Sequence, residues 1–538
     1  MKLIKKIDTL LIFLLLSVLF TYAFVGDMGY FLKASNSTQL KTYVDAQSVL
    51  KLDTINQGVY ITNFNPEFKI YYSVNGGKTW FDYHHQNLKN IKPNDLYKYA
   101  TSIRYKHPFG KLPDINTFLV KAKHQTQSLY LKPVPITILS NYKSSLPVVN
   151  LICHQDDLVG EYNGMMILGQ HSWQDEGFYK AFWYRNANYN QRGSKWQKNT
   201  YFQYFEQNNL KLQTQIKLQV SGHASRSFPQ KSLKIKANRI SGDDKINFAF
   251  FGKKGLKKYK SVVLRNSGND NNKTLFADVL MHQLIDTNFV NVISQKGKAV
   301  NVFINGNYWG IYNLRERQNR YYIAKKEHCK EDEVTILEKA NGRLKKGDKN
   351  LQEQYVNYID SVFNLKLVNQ KVFNQIKEVI DVNSFTDYII IETFYGNNDW
   401  LMNNTLWYKA GNKKWKWIIV DLDYCLAYNM DNLQKNYFNK LLSSNSITSK
   451  LFKTLIKNKD YKLTFKLRAK ELIKTLFNQQ RVAPVFNSLK NQYKNDIPYQ
   501  INRWRGNFTL QQWNKNCQAN LDFLLKRPKI YLKQTESL

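Results

Sequence analysis

A chain of 538 residues is long for one hydrophobic core, so two or three domains are expected. At 43% hydrophobic and 14% aromatic it buries large cores, which excludes a disordered chain. The net charge of +38, carried by scattered lysines, favours polyanionic partners but marks no dedicated nucleic-acid groove; a basic surface of Lys/Asn/Tyr-rich habit gives the same signal. Cys153, Cys329, Cys425 and Cys517 lie far apart with no CxxC pairing, which excludes a zinc ribbon or a dense disulfide scaffold.

Residues 1–26 read as a targeting segment. Lys2, Lys5 and Lys6 precede Leu10 to Val25, an uncharged apolar run shorter than a usual membrane span. Thr21-Tyr22-Ala23 is a poor cleavage site, so a signal peptide and an uncleaved signal anchor are both open. Either places the rest of the chain outside the cytoplasmic membrane, secreted or at the cell surface. Residues 27–145 read as an all-β module. Val59 to Thr62, Phe68 to Val74, Thr117 to Ala122 and Leu129 to Leu139 are strand candidates, and Asn75-Gly76-Gly77 marks a hairpin. Phe68 to Phe81 with Thr117 to Lys123 resembles the immunoglobulin-like modules appended to extracellular bacterial enzymes. That resemblance implies a β-sandwich that binds a surface or ligand, or a spacer packed on its neighbour.

Ser145-Leu146-Pro147 marks a boundary, and residues 146–340 are expected to form a β-rich lobe. Val148 to Ile152 and Gly164 to Gly169 read as strands, and Tyr179 to Thr200 as a long loop. Leu212, Thr214, Ile216, Leu218 and Val220 alternate with polar residues as a half-buried strand. Ser221 to Ser227, a small-residue loop carrying Arg226, leads into a strand with Lys231 and Lys234. Such a loop closes over phosphates through backbone N–H groups, with Arg adding charge, although an ordinary hairpin with solvated lysines reads the same way. Val262 to Leu264 is a strand and Thr274 to Leu284 a helix. Ala299 to Ile304 turns through a type I′ Asn305-Gly306 into Trp309 to Leu314, and Glu316 follows just before a helix at Gln318 to Lys326.

Residues 341–350 are polar and basic and read as a linker into a helical lobe, residues 341–535. Tyr355 to Phe363, Val372 to Ile380 and Ser384 to Tyr395 have helical spacing, and the third is apolar nearly all round, hence central. Its C-terminal end delivers Gly396-Asn397-Asn398-Asp399, with Asn403 and Asn404 just beyond. Leu406 to Lys409 and Trp415 to Val420 flank Gly411-Asn412 as a hairpin that ends at Asp421-Leu422-Asp423, and a helical tail follows. Phosphoryl transfer needs such parts: a carboxylate to deprotonate a hydroxyl, and an amide oxygen and second carboxylate to hold divalent metal against phosphates. The order of Arg226, Lys231/Lys234, Glu316, Asp399 and Asp421 is that of a protein-kinase core, without its GxGxxG, VAIK, HRD or DFG strings.

From Leu146 to about Ile530 the chain resembles the CotH family of spore-coat-type, secreted atypical protein kinases. The pieces that carry the likeness are Leu146 to Val149, Ser225 to Ser232, Asn305 to Tyr312 with Glu316, Asn398 to Asn404, Trp417 to Asp423, and Arg503 with Arg527-Pro528. The resemblance implies an α+β, bilobal atypical protein-kinase-like fold with a mixed β-rich N-lobe and an α-helical C-lobe. It implies ATP and a divalent metal, transfer to Ser or Thr of surface or secreted proteins, and a role for each matching residue. Asp399 is the expected base. Asn404, ahead of Asn403, and Asp421, with Asp423 close behind, are the expected metal ligands; oxygen-only donors suit Mg, Mn or Ca. Lys231 is preferred as the phosphate-contacting lysine over Lys234, which alternation puts on the opposite face. Glu316 would be its partner, and Arg226 would touch phosphate. Tyr424-Cys425 after Asp423 departs from the kinase pattern. The alternative is an inactive pseudokinase that binds or adheres at the cell surface, with an anionic polymer as partner.

Overall fold

A computed structural model describes residues 42–44, 50–55, 58–63, 65–139, 142–172, 186–239, 244–252, 255–504 and 509–538. The targeting segment and most of the first half of the expected loop over 179–200 lie outside these residues. The described residues gather into two compact units: those of 42–53 with those of 61–70 and 121–133, and a larger one of those in 54–60, 71–120 and 134–538. In the smaller, Thr42–Val44 runs parallel to Leu129–Leu131. In the larger, the expected hairpin forms. Gly76 and Gly77 take positive φ, Asn75 Oδ1 accepts from the Thr79 N–H at 2.9 Å, and Tyr71 and Tyr72 pair with Asp82 and Phe81. Residues 71–120 pack onto the body that follows: Ile115 N–H donates to Gly306 O at 3.0 Å, and Ser102 Oγ to Ser227 O at 2.8 Å.

That body is built on a closed seven-stranded barrel. Its strands are β1 (Val148–Cys153), β2 (Lys198–Glu206), β3 (Asn209–Ser221), β4 (Ser232–Ala237), β5 (Ser261–Arg265), β6 (Gly297–Ile304) and β7 (Asn307–Glu316). The order is β2-β3-β4-β5-β7-β6-β1, closed by β1 pairing antiparallel to β2 and parallel to β6. The alternation read in β3 holds. Ile216, Leu218 and Val220 are buried with Leu233, Ile235, Val262, Leu264 and Leu314 in the barrel core. Asn305 and Gly306 both take positive φ, as the type I′ turn requires. Gly164 to Gly169 is not a strand: Met165 and Met166 donate their N–H groups to the Asp157 and Leu158 carbonyls, so this apolar stretch folds back on the preceding helical turn.

Helix α1 (Ala277–Ile285) lies between β5 and β6 in sequence, and α2 (Arg320–Glu327) follows β7. Strands β8 (Val334–Glu338), β9 (Arg343–Lys346), β10 (Leu406–Ala410) and β11 (Lys416–Ile418) form one sheet in the order β9-β8-β10-β11. The stretch 341–350 is therefore a hairpin turn, the edge strand β9 and the start of helix α3 (Lys349–Phe363), not a linker. Its polarity reflects a solvent-facing edge, where charged side chains are favoured. Helices α4 (Gln370–Val379) and α5 (Val382–Tyr395) come next, and every residue of α5 from Ser384 to Tyr395 is buried, as its all-round apolar pattern predicts. Six helices run from α6 (Tyr437–Ser443) to the 27-residue α11 (Leu510–Glu536). All four cysteines are free thiols. Among the described residues no helix is long and apolar enough to cross a membrane.

Candidate functional site

The Asp399 loop is fixed by the end of α5. Gly396, with φ 68°, caps the helix by donating its N–H to Glu392 O; a side chain there would lie 2.9 Å from the Tyr437 ring. The buried Asn397 accepts from Asp399 N–H at 3.2 Å and donates to Glu392 Oε2 at 3.0 Å and to Asp421 O at 3.4 Å. The two carboxylate oxygens of Asp399 each accept one amide hydrogen, Oδ1 from Asn403 and Oδ2 from Asn404, both at 3.1 Å. The expected base and both candidate asparagines thus stand together. Lys440 Nζ donates to Asn398 O at 2.8 Å, which sets a cation beside Asp399.

Asp421 and Asp423 stand together past the end of β11, at one guanidinium. Arg265, the last residue of β5, donates to both carboxylates, and its Nε lies 3.8 Å from Asp278 of α1. Asn269 grips Asp423 twice, through its N–H at 3.1 Å and its side-chain amide at 2.9 Å. Gly268 makes this approach possible: at φ 55°, an added Cβ would fall 1.7 Å from Asp423 Oδ2. Asp278 is buried, pairs with Arg315, and accepts from the Leu422 N–H at 2.9 Å; Arg315 and Arg265 help hold its carboxyl well below the usual range despite burial. Asp423 is pushed well above its ordinary value by burial and then by Asp421, while Arg265 pulls it back.

The expected basic residues divide. Arg226 is 3% exposed and spends its guanidinium on carbonyls: Nε on Tyr189, Nη1 on Val220 and Nη2 on Gln191. It braces the loop from within. Lys231 is 0% exposed, donates to Phe228 O at 2.8 Å and lies 3.9 Å from the Tyr189 ring centroid; burial and the nearby Arg226 lower it well below a normal ammonium. Glu316 is also buried and faces the barrel interior, because it opposes Val262, which opposes Ile235. Lys231 stands four residues before Ile235, roughly 13 Å along a strand, and the expected Lys231–Glu316 ion pair is not formed among the described residues. Glu316 instead accepts from the Lys296 N–H at 3.3 Å, and burial raises its carboxyl.

Lys234 has the opposite orientation. It opposes Val263, which opposes Arg315, so it shares the outer barrel face with Arg265, Arg315 and Arg317. Burial, then Arg317 and Lys236, lower its ammonium to about 8. Among the described residues neither Lys234 nor Arg317 pairs with a carboxylate. The barrel wall thus offers uncompensated positive charge on the face where Arg265 meets Asp421 and Asp423.

The donor set fits a hard divalent ion that completes its shell with phosphate oxygens, since such ions take one or two carboxylates from protein. Asp421 and Asp423 are two crowded carboxylates, and no described group of three or more His, Cys, Asp or Glu exists to make an all-protein cage. Asn404 spends its amide hydrogen on Asp399 and keeps its carbonyl oxygen. Arg265, Asn269, Asp278, Glu392 and Asn397 were not anticipated as site residues. Their signals were slight: an Arg closing an apolar strand, and an Asp and a Glu inside apolar helices. The profile of the family described as CotH kinase protein matches residues 218–531, more than half the chain. A search for similar curated proteins finds no match.

Proposed function

The chain belongs to the CotH kinase protein family, and from that premise we propose an extracytoplasmic protein kinase that moves the γ-phosphate of ATP to a Ser or Thr hydroxyl of a secreted or surface protein. The observation that carries this reading is the Asp399 carboxylate, held by two amides and tied through Asn397 to the Asp421–Asp423 segment. Asp399 keeps a free lone pair on each oxygen and takes the hydroxyl proton as the new O–P bond forms and the bond to the leaving ADP breaks. Lys234 and Arg317 bind the phosphates by charge, with Lys234 taking the part first expected of Lys231. Asp421 and Asp423, with the Asn404 carbonyl, would hold a divalent ion of the Mg, Mn or Ca class. That ion supplies neutralisation of phosphate charge.

Purified chain incubated with γ-labelled ATP, each metal in turn, and casein or itself as acceptor tests the reading. Label transfer that requires metal and vanishes in Asp399→Ala is the expected result; undiminished transfer in that variant removes Asp399 as the base. The absent Lys–Glu ion pair favours a second reading, an inactive pseudokinase that adheres at the cell surface through an anionic polymer. ATP binding without transfer, together with retention on such a polymer, would select it.

A further inference from the structure

We infer that Asn397, anchored by Glu392, is a positioning residue that fixes the spacing between the proposed base and the proposed metal-bearing segment. The inference rests on the phosphotransfer reading above. Helix α5 does not need either side chain in order to end. Gly396 already supplies the left-handed cap, and the backbone N–H groups of Gly396 and Asn397 both reach Glu392 O. Glu392, near the end of a helix whose core face is Ile, Phe and Tyr, and Asn397 just beyond it are nevertheless 0% exposed. Burying an amide and a carboxyl there costs free energy unless their hydrogen bonds return it.

Those bonds go to the working segments. One amide receives the Asp399 N–H on its oxygen, and its nitrogen serves both Glu392 Oε2 and the Asp421 carbonyl. The segments it joins are strained. Leu401, Asn404 and Asp421 all hold positive φ, at 78°, 53° and 53°. Non-glycine residues in that region store strain and persist where neighbours over-determine them. Glu392 faces Asp421 and Lys440 from outside its helix and Cys425 from the segment packed on it, and burial raises it to about 8, so its neutral form prevails near neutral pH. A neutral carboxyl accepts the amide hydrogen without adding a second full charge behind Asp421.

The test is a kinetic cycle on the full chain with ATP and Mn²⁺. Asn397→Ala is expected to lower kcat, measured at saturating ATP and Mn²⁺, by about 100-fold, the effect of misplacing a reacting group by roughly 1 Å. Glu392→Gln, which still accepts the amide hydrogen, retains kcat within about threefold, whereas Glu392→Ala falls with Asn397→Ala. The double alanine variant is no slower than either single one, because the pair acts as a unit. Mn²⁺ titration followed by electron paramagnetic resonance reads the other end: Asn397→Ala weakens metal binding through Asp421. If Asn397→Ala fails to fold, Asn397→Asp replaces it, keeping the acceptor for Asp399 and losing the donor. Wild-type kcat and Mn²⁺ affinity in the Asn397 variants, with Asp399→Ala dead, overturn this inference alone. A wild type no faster than Asp399→Ala overturns the phosphotransfer reading and this inference with it.

Discussion

Asp399, Asp421 and Asp423 are compensated within the protein, whereas Lys234 and Arg317 on the barrel wall are not. Each oxygen of Asp399 has an amide donor, and Asp421 and Asp423 share Arg265, with Asn269 as a second partner for Asp423. Burial and then the cations Arg317, Lys236, Arg226 and Arg192 lower the Lys234 ammonium to about 8. The carboxylate side holds its geometry before any ligand arrives, as preorganised electrostatics requires. The cationic side has no such carboxylate partner among the described residues. On the proposed reading the difference separates two tasks: an anion would neutralise the wall, while the opposite segments would orient the hydroxyl, take its proton and hold the metal.

Breaking the carboxylate side should have the largest effect. Asp399→Ala is expected to lower phosphate transfer by about 10²–10⁴-fold, read as initial rates with labelled ATP. Asp278→Ala leaves Arg315 buried without its carboxylate and frees Leu422 N–H; about 3–5 kcal/mol of stability should be lost, measured as a shift in urea unfolding. On the wall, Lys234→Met should raise KM for ATP by about tenfold, a loss of roughly 1.4 kcal/mol, while Lys231→Met leaves KM within about twofold. Equal effects of the two would erase the distinction between the faces. The same lysine gives the comparison a pH signature. Lys234 is cationic below about 8 and loses its charge above it, so ATP affinity should fall as pH rises through 8, and Lys234→Arg should abolish that fall.

A further pH effect separates stability from binding. Glu392 is raised to about 8 in the fold, above an unfolded value near 4.3, so the native state binds the extra proton between these values. Stability is therefore full below the lower value, declines as pH rises towards 8, and is level above it. Glu392→Gln should flatten that decline in unfolding free energy measured from pH 5 to 8.

Much of the helical half was legible, because α5 is apolar all round and the Asp399 loop follows at its end. Three hairpin turns were legible for the same local reason: Asn75-Gly76-Gly77, Asn305-Gly306 and Gly411-Asn412 each contain a residue that admits positive φ. The orientations of Lys231 and Lys234 were legible only as a pair of alternatives. Alternation says that they face opposite ways, but which face is the interior depends on barrel closure by β1, far away in sequence. Arg226 illustrates the opposite difficulty. A loop arginine and a buried carbonyl clamp have the same local sequence, and only the approach of Tyr189 and Gln191 decides between them. Asn397 was read as part of a motif, but its bond to Asp421 O spans 24 residues and has no periodic signature.

The four-stranded sheet has a consequence for the order in which the chain folds. β8 and β9 form a local hairpin, but the inner edge of β8, Val334 to Glu338, finds its partner only in Leu406 to Ala410. A nascent chain emerging N-terminus first must therefore carry β8 with one edge bare while α3, α4 and α5 assemble. Closing so long a loop is entropically costly and slow. A pause in synthesis before residue 410 would leave that edge open to capture by a chaperone or by another copy of the chain.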